Sequence, residues 1–175
     1  NANGTPVAYA AILDQTAGIA QADFMAAAKK GVLPTPNAIT MVFKHLMTKL
    51  VINIDNQSGA EVNTVKILGG DAACDIDLPN LAVLPASGGM STELTEITAY
   101  EATAGKVWKA IVIPQTVKLS VEVSLSSGKK ITQPLAEMTL KSGGQYTINA
   151  RIVQDNMVVS ASGEIENWTD EGEVG

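Results

Sequence analysis

The 175-residue chain has very few of the side chains that carry most enzyme chemistry. It contains one cysteine, Cys74, and one histidine, His45, so an internal disulfide is excluded. One residue of each kind supplies neither the ligands of a zinc site nor the spacing of a catalytic Cys–His pair. A Gly-x-Ser-x-Gly elbow, a phosphate-binding loop and a dinucleotide fingerprint are also missing. The sequence therefore predicts no catalytic residues, no cofactor, no metal site and a protein that is not an enzyme.

Positive charge and aromatic side chains are also scarce. The net charge is −6 and the isoelectric point about 4.7. Such a surface repels phosphate backbones and no basic patch offsets it, so nucleic acid is not an expected partner. Aromatic residues make up 4% of the chain, with Trp108 and Trp168 as the two tryptophans, which leaves few platforms for stacking sugars. No apolar run approaches the roughly 18–20 residues that a membrane-spanning helix needs.

Carboxylates are abundant by contrast, and they cluster in two places. One group alternates around Cys74, and the other crowds the C-terminus. The first comprises Asp71, Asp75 and Asp77, and the second Glu164, Glu166, Asp170, Glu171 and Glu173. Oxygen ligands suit calcium, but no Asp-x-Asp-x-Asp-Gly loop is present. A solvated acidic surface is the favoured interpretation, and a calcium site stays open as the alternative.

Alternation with a period of two residues dominates the chain from residue 39 onward. Residues 117–125 and 146–152 are the clearest examples, with apolar side chains on one face and polar ones on the other. The remaining predicted strands are 39–54, 62–68, 73–78, 94–100, 107–113 and 157–161. Turns rich in Gly, Ser and Asn separate them. The pattern predicts an all-β fold, an antiparallel β-sandwich of about seven strands, although periodicity does not distinguish a sandwich from a barrel.

The long apolar stretch 39–54 changes its register. Its predicted inward positions switch from odd to even numbers, which indicates a bulge or bend near residues 45–49. The odd set is Ile39, Met41 and Phe43, and the even set is Leu50, Ile52 and Ile54. His45 stands at this switch and is interpreted as a half-buried structural residue. In the strand 73–78, Cys74 shares a face with Ile76 and Leu78 and is interpreted as a small buried hydrophobe.

The first 37 residues have a different character. Residues 9–13 are a candidate strand, and the alanine-rich stretch 22–30 predicts a short helix, with Asp23 near its start and Gly31 at its end. Residues 34–36, Pro-Thr-Pro, then resemble a linker. This segment is too short to form a domain of its own.

Four segments taken together resemble the fimbrillin family of Gram-negative anaerobes, including its Mfa-like branch. They are residues 39–50, with His45 at the family's recurrent histidine; residues 111–116, Ile-Val-Ile-Pro-Gln-Thr; residues 140–148, with the Leu-x-x-Gly-x-x-Tyr type of hairpin; and residues 158–168, ending Ile-x-x-Trp. Residues 14–15 and 22–25 also resemble a segment that precedes the histidine strand. The order and spacing of these pieces make the combination specific.

The resemblance implies a chain of two transthyretin-like β-sandwich domains that serves as a fimbrial subunit or a related surface lipoprotein. Residues 1–37 would be the C-terminal remnant of an N-terminal β domain plus linker, and residues 38–175 the C-terminal sandwich. Partners would be other fimbrial subunits, joined by β-strand addition, and a host or bacterial surface receptor. The expected location is the cell surface or outer membrane, with membrane contact only through a lipid anchor upstream of this chain.

Two departures from the family pattern affect the expected role. Family shaft subunits polymerise by strand exchange after an arginine-specific cleavage, and the one arginine here, Arg151, lies inside a predicted strand. The chain also ends at Gly175, soon after Trp168. A tip, accessory or truncated member is therefore expected. The alternative is a carbohydrate-binding or other ligand-binding surface lipoprotein, with Trp108, Tyr100 and the acidic loop residues as candidate contacts.

Overall fold

The computed structural model describes residues 6–33, 36–87, 95–154 and 156–167, and the regular secondary structure of this part of the chain is almost entirely β-strand. Its one helical element is a single 3₁₀ turn, Ala20–Ala22. The strands are β1 Val7–Ala10, β2 Met25–Ala26, β3 Lys44–His45, β4 Thr48–Asn56, β5 Val62–Leu68, β6 Ala73–Asp77, β7 Ala82–Pro85, β8 Glu96–Thr98, β9 Tyr100–Thr103, β10 Val107–Val112, β11 Thr116–Val117, β12 Ser120–Leu125, β13 Lys130–Pro134, β14 Met138–Thr139, β15 Gly144–Val153 and β16 Asn156–Asn167.

Two separate sheets form the body of the fold, so the prediction of a β-sandwich is confirmed. One has five strands in the order β16-β15-β4-β10-β9, and the other four strands in the order β13-β12-β5-β8. The strand pairs are antiparallel except β4 with β15, which run parallel. The two main sheets hold nine described strands rather than about seven. The short edge strands β9 and β13 account for the difference, because they bury too few residues to show clear alternation.

The main core lies between these two sheets and follows from the alternation in the sequence. On β12, Val121, Val123 and Leu125 are buried. On β15, Ile148 and Ile152 are fully buried. The polar residues between them face outward. Burying each such side chain contributes roughly 1.5–3 kcal/mol, so the alternating pattern is enough to hold the two sheets face to face.

A second core lies on the opposite face of the five-stranded sheet, at one end only. Ile111 belongs to it, while its neighbours Ala110 and Val112 belong to the main core. The second core is completed by Ala22, Ala26, Leu46, Met47, Cys74, Ile76 and Ile113. The N-terminal segment and the small sheet β1-β6-β7 therefore cover one end of the outer face of the five-stranded sheet, and its other end stays accessible to solvent.

The predicted bend near residues 45–49 is confirmed. β3 pairs with β2, whereas β4 starts three residues later in the five-stranded sheet, so the chain changes sheets at Leu46 and Met47. Both of these side chains are buried in the second core. The buried positions on β4 are then even-numbered, as expected, with Leu50 and Ile52 fully buried.

Two local predictions are wrong. Residues 22–30 do not form a helix, because Phe24 accepts a backbone hydrogen bond from Leu46 and the chain continues as β2. A stretch this short gains too few intrahelical bonds to compete with that pairing. Residues 39–43 lie outside the described strands, and their apolar side chains are exposed rather than directed inward. For residues 22–30 the deciding contact is therefore distant in sequence.

Candidate functional site

The N-terminal segment, residues 6–26, is held to the sandwich by the fully buried side chain of Gln15. Its amide oxygen accepts the Ile111 N–H at 2.8 Å, and its Nε2 donates to the Ile111 carbonyl at 2.9 Å. Nε2 also donates to the Ile12 carbonyl at 2.9 Å. The pairing of β9 with β10 ends at Lys109. The Gln15 side chain therefore makes the two hydrogen bonds to Ile111 that a neighbouring strand would otherwise make. Sequence reasoning placed Gln15 in a family-like segment but assigned it no role.

A buried side-chain contact between Asp23 and His45 supports the same segment. His45 Nδ1 lies 2.7 Å from Asp23 Oδ2, and both side chains are about nine-tenths buried. Asp23 follows the 3₁₀ turn and His45 ends β3, so the pair joins the N-terminal segment to the point where the chain changes sheets. The interpretation of His45 as a structural residue agrees with this geometry.

Tyr9 and Cys74 form the other side of the second core. They are cross-strand partners on β1 and β6, and the Tyr9 hydroxyl donates to the Ala22 carbonyl at 2.6 Å. Burial raises the pKa of Tyr9 to about 12, and the neighbouring Cys74 and Asp23 add to the effect. Burial also raises the pKa of Cys74 to about 11, with a further contribution from Asp75. A thiol in this state is protonated and unreactive near neutral pH.

The Cys74 shift predicts a loss of stability in alkali. The unfolded thiol ionises near pH 9.0 and the folded one near 11, so between these values only the unfolded chain loses the proton. Stability is therefore intact below pH 9 and falls by about 1.4 kcal/mol per pH unit as the pH rises toward 11. The loss of stability is measured by urea unfolding of the wild type and of Cys74→Ala, each at pH 8 and at pH 10. The wild type should lose more stability than the variant, and equal losses would contradict the buried position of the thiol.

The predicted acidic group around Cys74 serves local structure. Asp75 is buried and accepts the Ser87 N–H at 2.9 Å, and Asp77 accepts from the backbone and side chain of Asn80 at 3.2 and 2.7 Å. Within the described ranges no three His, Cys, Asp or Glu side chains come together as possible metal ligands. The C-terminal acidic group lies outside the residues whose side chains the structure describes.

The two aromatic candidates for ligand contact lie in different environments. Trp108 is 3% exposed in the main core, so it offers no surface to a ligand. Tyr100 is half-buried on β9 opposite Lys109. Arg151 lies in β15, as predicted, and forms an ion pair with Asp55 at 3.0 Å. Trp168 falls outside the described residues.

The most conspicuous exposed feature is an apolar run, residues 39–43. Four of its five side chains are large and hydrophobic, and all four are exposed. The exposed fractions are 46% for Ile39, 42% for Met41, 71% for Val42 and 59% for Phe43. The run leads directly into β3, and no strand among the described residues pairs with it. Contiguous apolar exposure of this kind marks an interaction surface rather than a catalytic site.

A family profile described as fimbrillin-like matches residues 1–168 of this chain. The chain belongs to the fimbrillin-like family. The resemblance found in the four sequence segments is thereby confirmed, and the family is one of structural surface proteins rather than enzymes. A fimbrial or adhesion-type protein at the cell surface is the function that family membership supports. A search of curated proteins finds no match.

Solved structures share the fold of this fimbrillin-like chain. A protein from Bacteroides uniformis described as a cell adhesion protein is 22% identical, with a TM-score of 0.72 over 96% of this chain and 68% of its own. A similarly described protein from Bacteroides ovatus is 24% identical, with a TM-score of 0.62 over 77% of this chain and 49% of its own. The tip fimbrial protein Mfa3 from Porphyromonas gingivalis is 12% identical, with a TM-score of 0.52 over 72% of this chain and 52% of its own.

The chain spans about half the length of the Bacteroides ovatus and Porphyromonas gingivalis proteins that it matches. The described residues include no helix of the length and hydropathy that a membrane span requires.

Proposed function

We propose that this protein is a non-catalytic fimbrial subunit that joins other subunits by β-strand addition, in a tip or accessory position. The observation that carries the proposal is the exposed apolar run, residues 39–43. Its composition is that of a strand, with the β-branched residues Ile39, Thr40 and Val42 followed by the aromatic Phe43. Its backbone, however, belongs to no described ladder.

Strand addition fits the physical properties of such a segment. An unpaired strand presents backbone N–H and C=O groups that another chain can satisfy, and that pairing supplies affinity. Alternate side chains then enter pockets on the partner and supply specificity. Ile39, Met41 and Phe43 share one side of the run and Val42 the other, so a partner strand would bury apolar groups on both faces.

The test removes backbone donors from the apolar run without touching either core. Met41→Pro and Val42→Pro each eliminate one N–H, and because adjacent N–H groups point to opposite sides of a strand, the two variants probe its two edges. We expect at least one of them to be depleted about tenfold from fimbriae sheared from the bacterium that encodes the protein. Immunoblotting of the high-molecular-weight fraction measures this depletion.

Met41→Ala and Val42→Ala are the matched controls. They shorten the same side chains but retain the N–H groups, so they should incorporate far better than the proline variants. Thermal unfolding of the purified variants verifies that all four remain folded, as the exposure of both positions leads us to expect. Wild-type incorporation of both proline variants would refute strand addition at this run.

The domain organisation and location form part of the proposal. Residues 1–37 are proposed to belong with an N-terminal β domain and residues 38–175 to form the C-terminal sandwich. The described residues 6–26 and β6 already share the second core, which is small compared with the main core. The greater length of the relatives leaves room for the remainder of such a domain. Attachment to the outer membrane through a lipid upstream of this chain, a transthyretin-like topology and a surface receptor belong to the same proposal.

A further inference from the structure

A polar groove crosses the uncovered end of the five-stranded sheet. Four side chains form one row of it, because each is the cross-strand partner of the next: Val107 on β10, Asn53 on β4, Asn149 on β15 and Ser160 on β16. With strands about 4.8 Å apart, this row spans roughly 14 Å. The second core covers the other end of the same face, so the groove lies where the sheet is open to solvent.

Two shallow depressions meet at β4, and the one on the outer face of the five-stranded sheet is this groove. One is lined by residues of β4, β15 and β16, among them Arg151 and Val158. The other continues past β4 to the turn after it and to the hairpin between β9 and β10. Asn53, Ile54 and Asp55 line both depressions, so the two adjoin there.

Side-chain amides dominate the centre of the groove. Asn53 Nδ2 donates to Asn149 Oδ1 at 2.9 Å, which fixes the two amides side by side. Each amide has two donor hydrogens and an acceptor oxygen with two lone pairs, so this bond uses only part of their capacity. Ser160 adds a hydroxyl on one side. Fixed amides and hydroxyls are suited to a ligand rich in hydroxyl groups that both donate and accept.

The charges along the groove select against ionic ligands. The Arg151 guanidinium is neutralised by Asp55 at 3.0 Å, in the row next to the amides. Further along, the second depression carries Glu61 and Glu101 against a single cation, Lys106. An anionic ligand would therefore meet net negative charge. A peptide strand is also a poor occupant, because it adds to the edge of a sheet rather than to its face.

Apolar contacts complete the surface. Val158 is 67% exposed beside Arg151, and Val107 flanks the other end of the amide row. The half-buried Tyr100 pairs with Lys109 on the same face, one row away. A sugar ring presents both hydroxyl groups and apolar C–H faces, and this surface provides a counterpart for each.

We propose that this groove binds a neutral oligosaccharide, with Asn53 and Asn149 as the central hydrogen-bonding pair. The inference rests on the outer face of the five-stranded sheet. It is independent of strand addition at the apolar run, so either proposal can fail without the other.

The experiment is a printed array of neutral and sialylated oligosaccharides, probed with the wild-type chain presented multivalently. Hits are then measured in solution by isothermal titration calorimetry. We expect binding to neutral oligosaccharides and a loss of at least tenfold in affinity for Asn149→Asp, which replaces the amide donors with a negative charge of similar size. Asn53→Ala should weaken the same hits by a comparable factor.

The matched control is Asn63→Asp, which makes the same chemical change at an exposed position on β5, in the other main sheet. Its affinity should equal that of the wild type, and all variants should keep the wild-type unfolding midpoint. The proposal is overturned if no neutral oligosaccharide binds, if only sialylated ones do, or if Asn149→Asp binds as well as the wild type. An equal loss in Asn63→Asp would also overturn it, since overall charge would then explain the effect.

Discussion

Replacing Gln15 by alanine is expected to lower the free energy of unfolding by about 3–5 kcal/mol. The side chain is 1% exposed and satisfies both backbone groups of Ile111, together with the carbonyl of Ile12. Alanine leaves these buried groups without their partner, and each costs roughly 1–3 kcal/mol. The loss also removes the side-chain hydrogen bonds between the N-terminal segment and β10, while the apolar contacts of the second core remain.

Urea unfolding measured by circular dichroism checks this expectation. Gln21→Ala serves as the control, because Gln21 is an exposed glutamine in the same segment, on the 3₁₀ turn. A change at a surface position of this kind stays within about 0.5 kcal/mol. If Gln15→Ala costs no more than Gln21→Ala, the amide does not pair with β10 as the structure indicates.

The second large effect is expected at Gly143. Its φ angle is +67°, and an added Cβ would lie 2.9 Å from the His45 carbonyl oxygen. The Gly143 N–H donates to the Met47 carbonyl at 3.0 Å, so the glycine is held against the chain where β3 passes into β4. Gly143→Ala should therefore cost about 3 kcal/mol, from the left-handed conformation and from the displacement of a backbone that cannot easily move.

Gly128→Ala separates these two contributions. Gly128 has a φ of +83°, and nothing lies within 4 Å of the position that a Cβ would take. This control should therefore show only the conformational cost, about 1 kcal/mol. Thermal or urea unfolding of both variants gives the comparison. Equal costs at the two positions would mean that Gly143 does not approach His45 closely.

Much of the candidate interaction surface was visible in the sequence, but its exposure was not. The alternation in residues 39–43 predicts a strand, whereas the run lies outside the described strands; the switch of register after it is confirmed. The run was also assigned to the core, because alternation does not tell which side of a strand another element covers. The amide groove gave no usable signal, since Asn53 and Asn149 are far apart in sequence and meet only through the parallel pairing of β4 with β15.

The sequence by itself determined the all-β class, the buried alternation of β12 and β15 and the family to which the chain belongs. These features depend on local periodicity and on the order of short motifs, both of which can be read directly from the sequence. Only the tertiary structure decided that residues 22–30 form no helix, that Gln15 completes β10, and that one end of the outer sheet face is covered while the other is open. Each of these outcomes depends on hydrogen bonds or apolar burial between segments distant in sequence, and such contacts override local propensity.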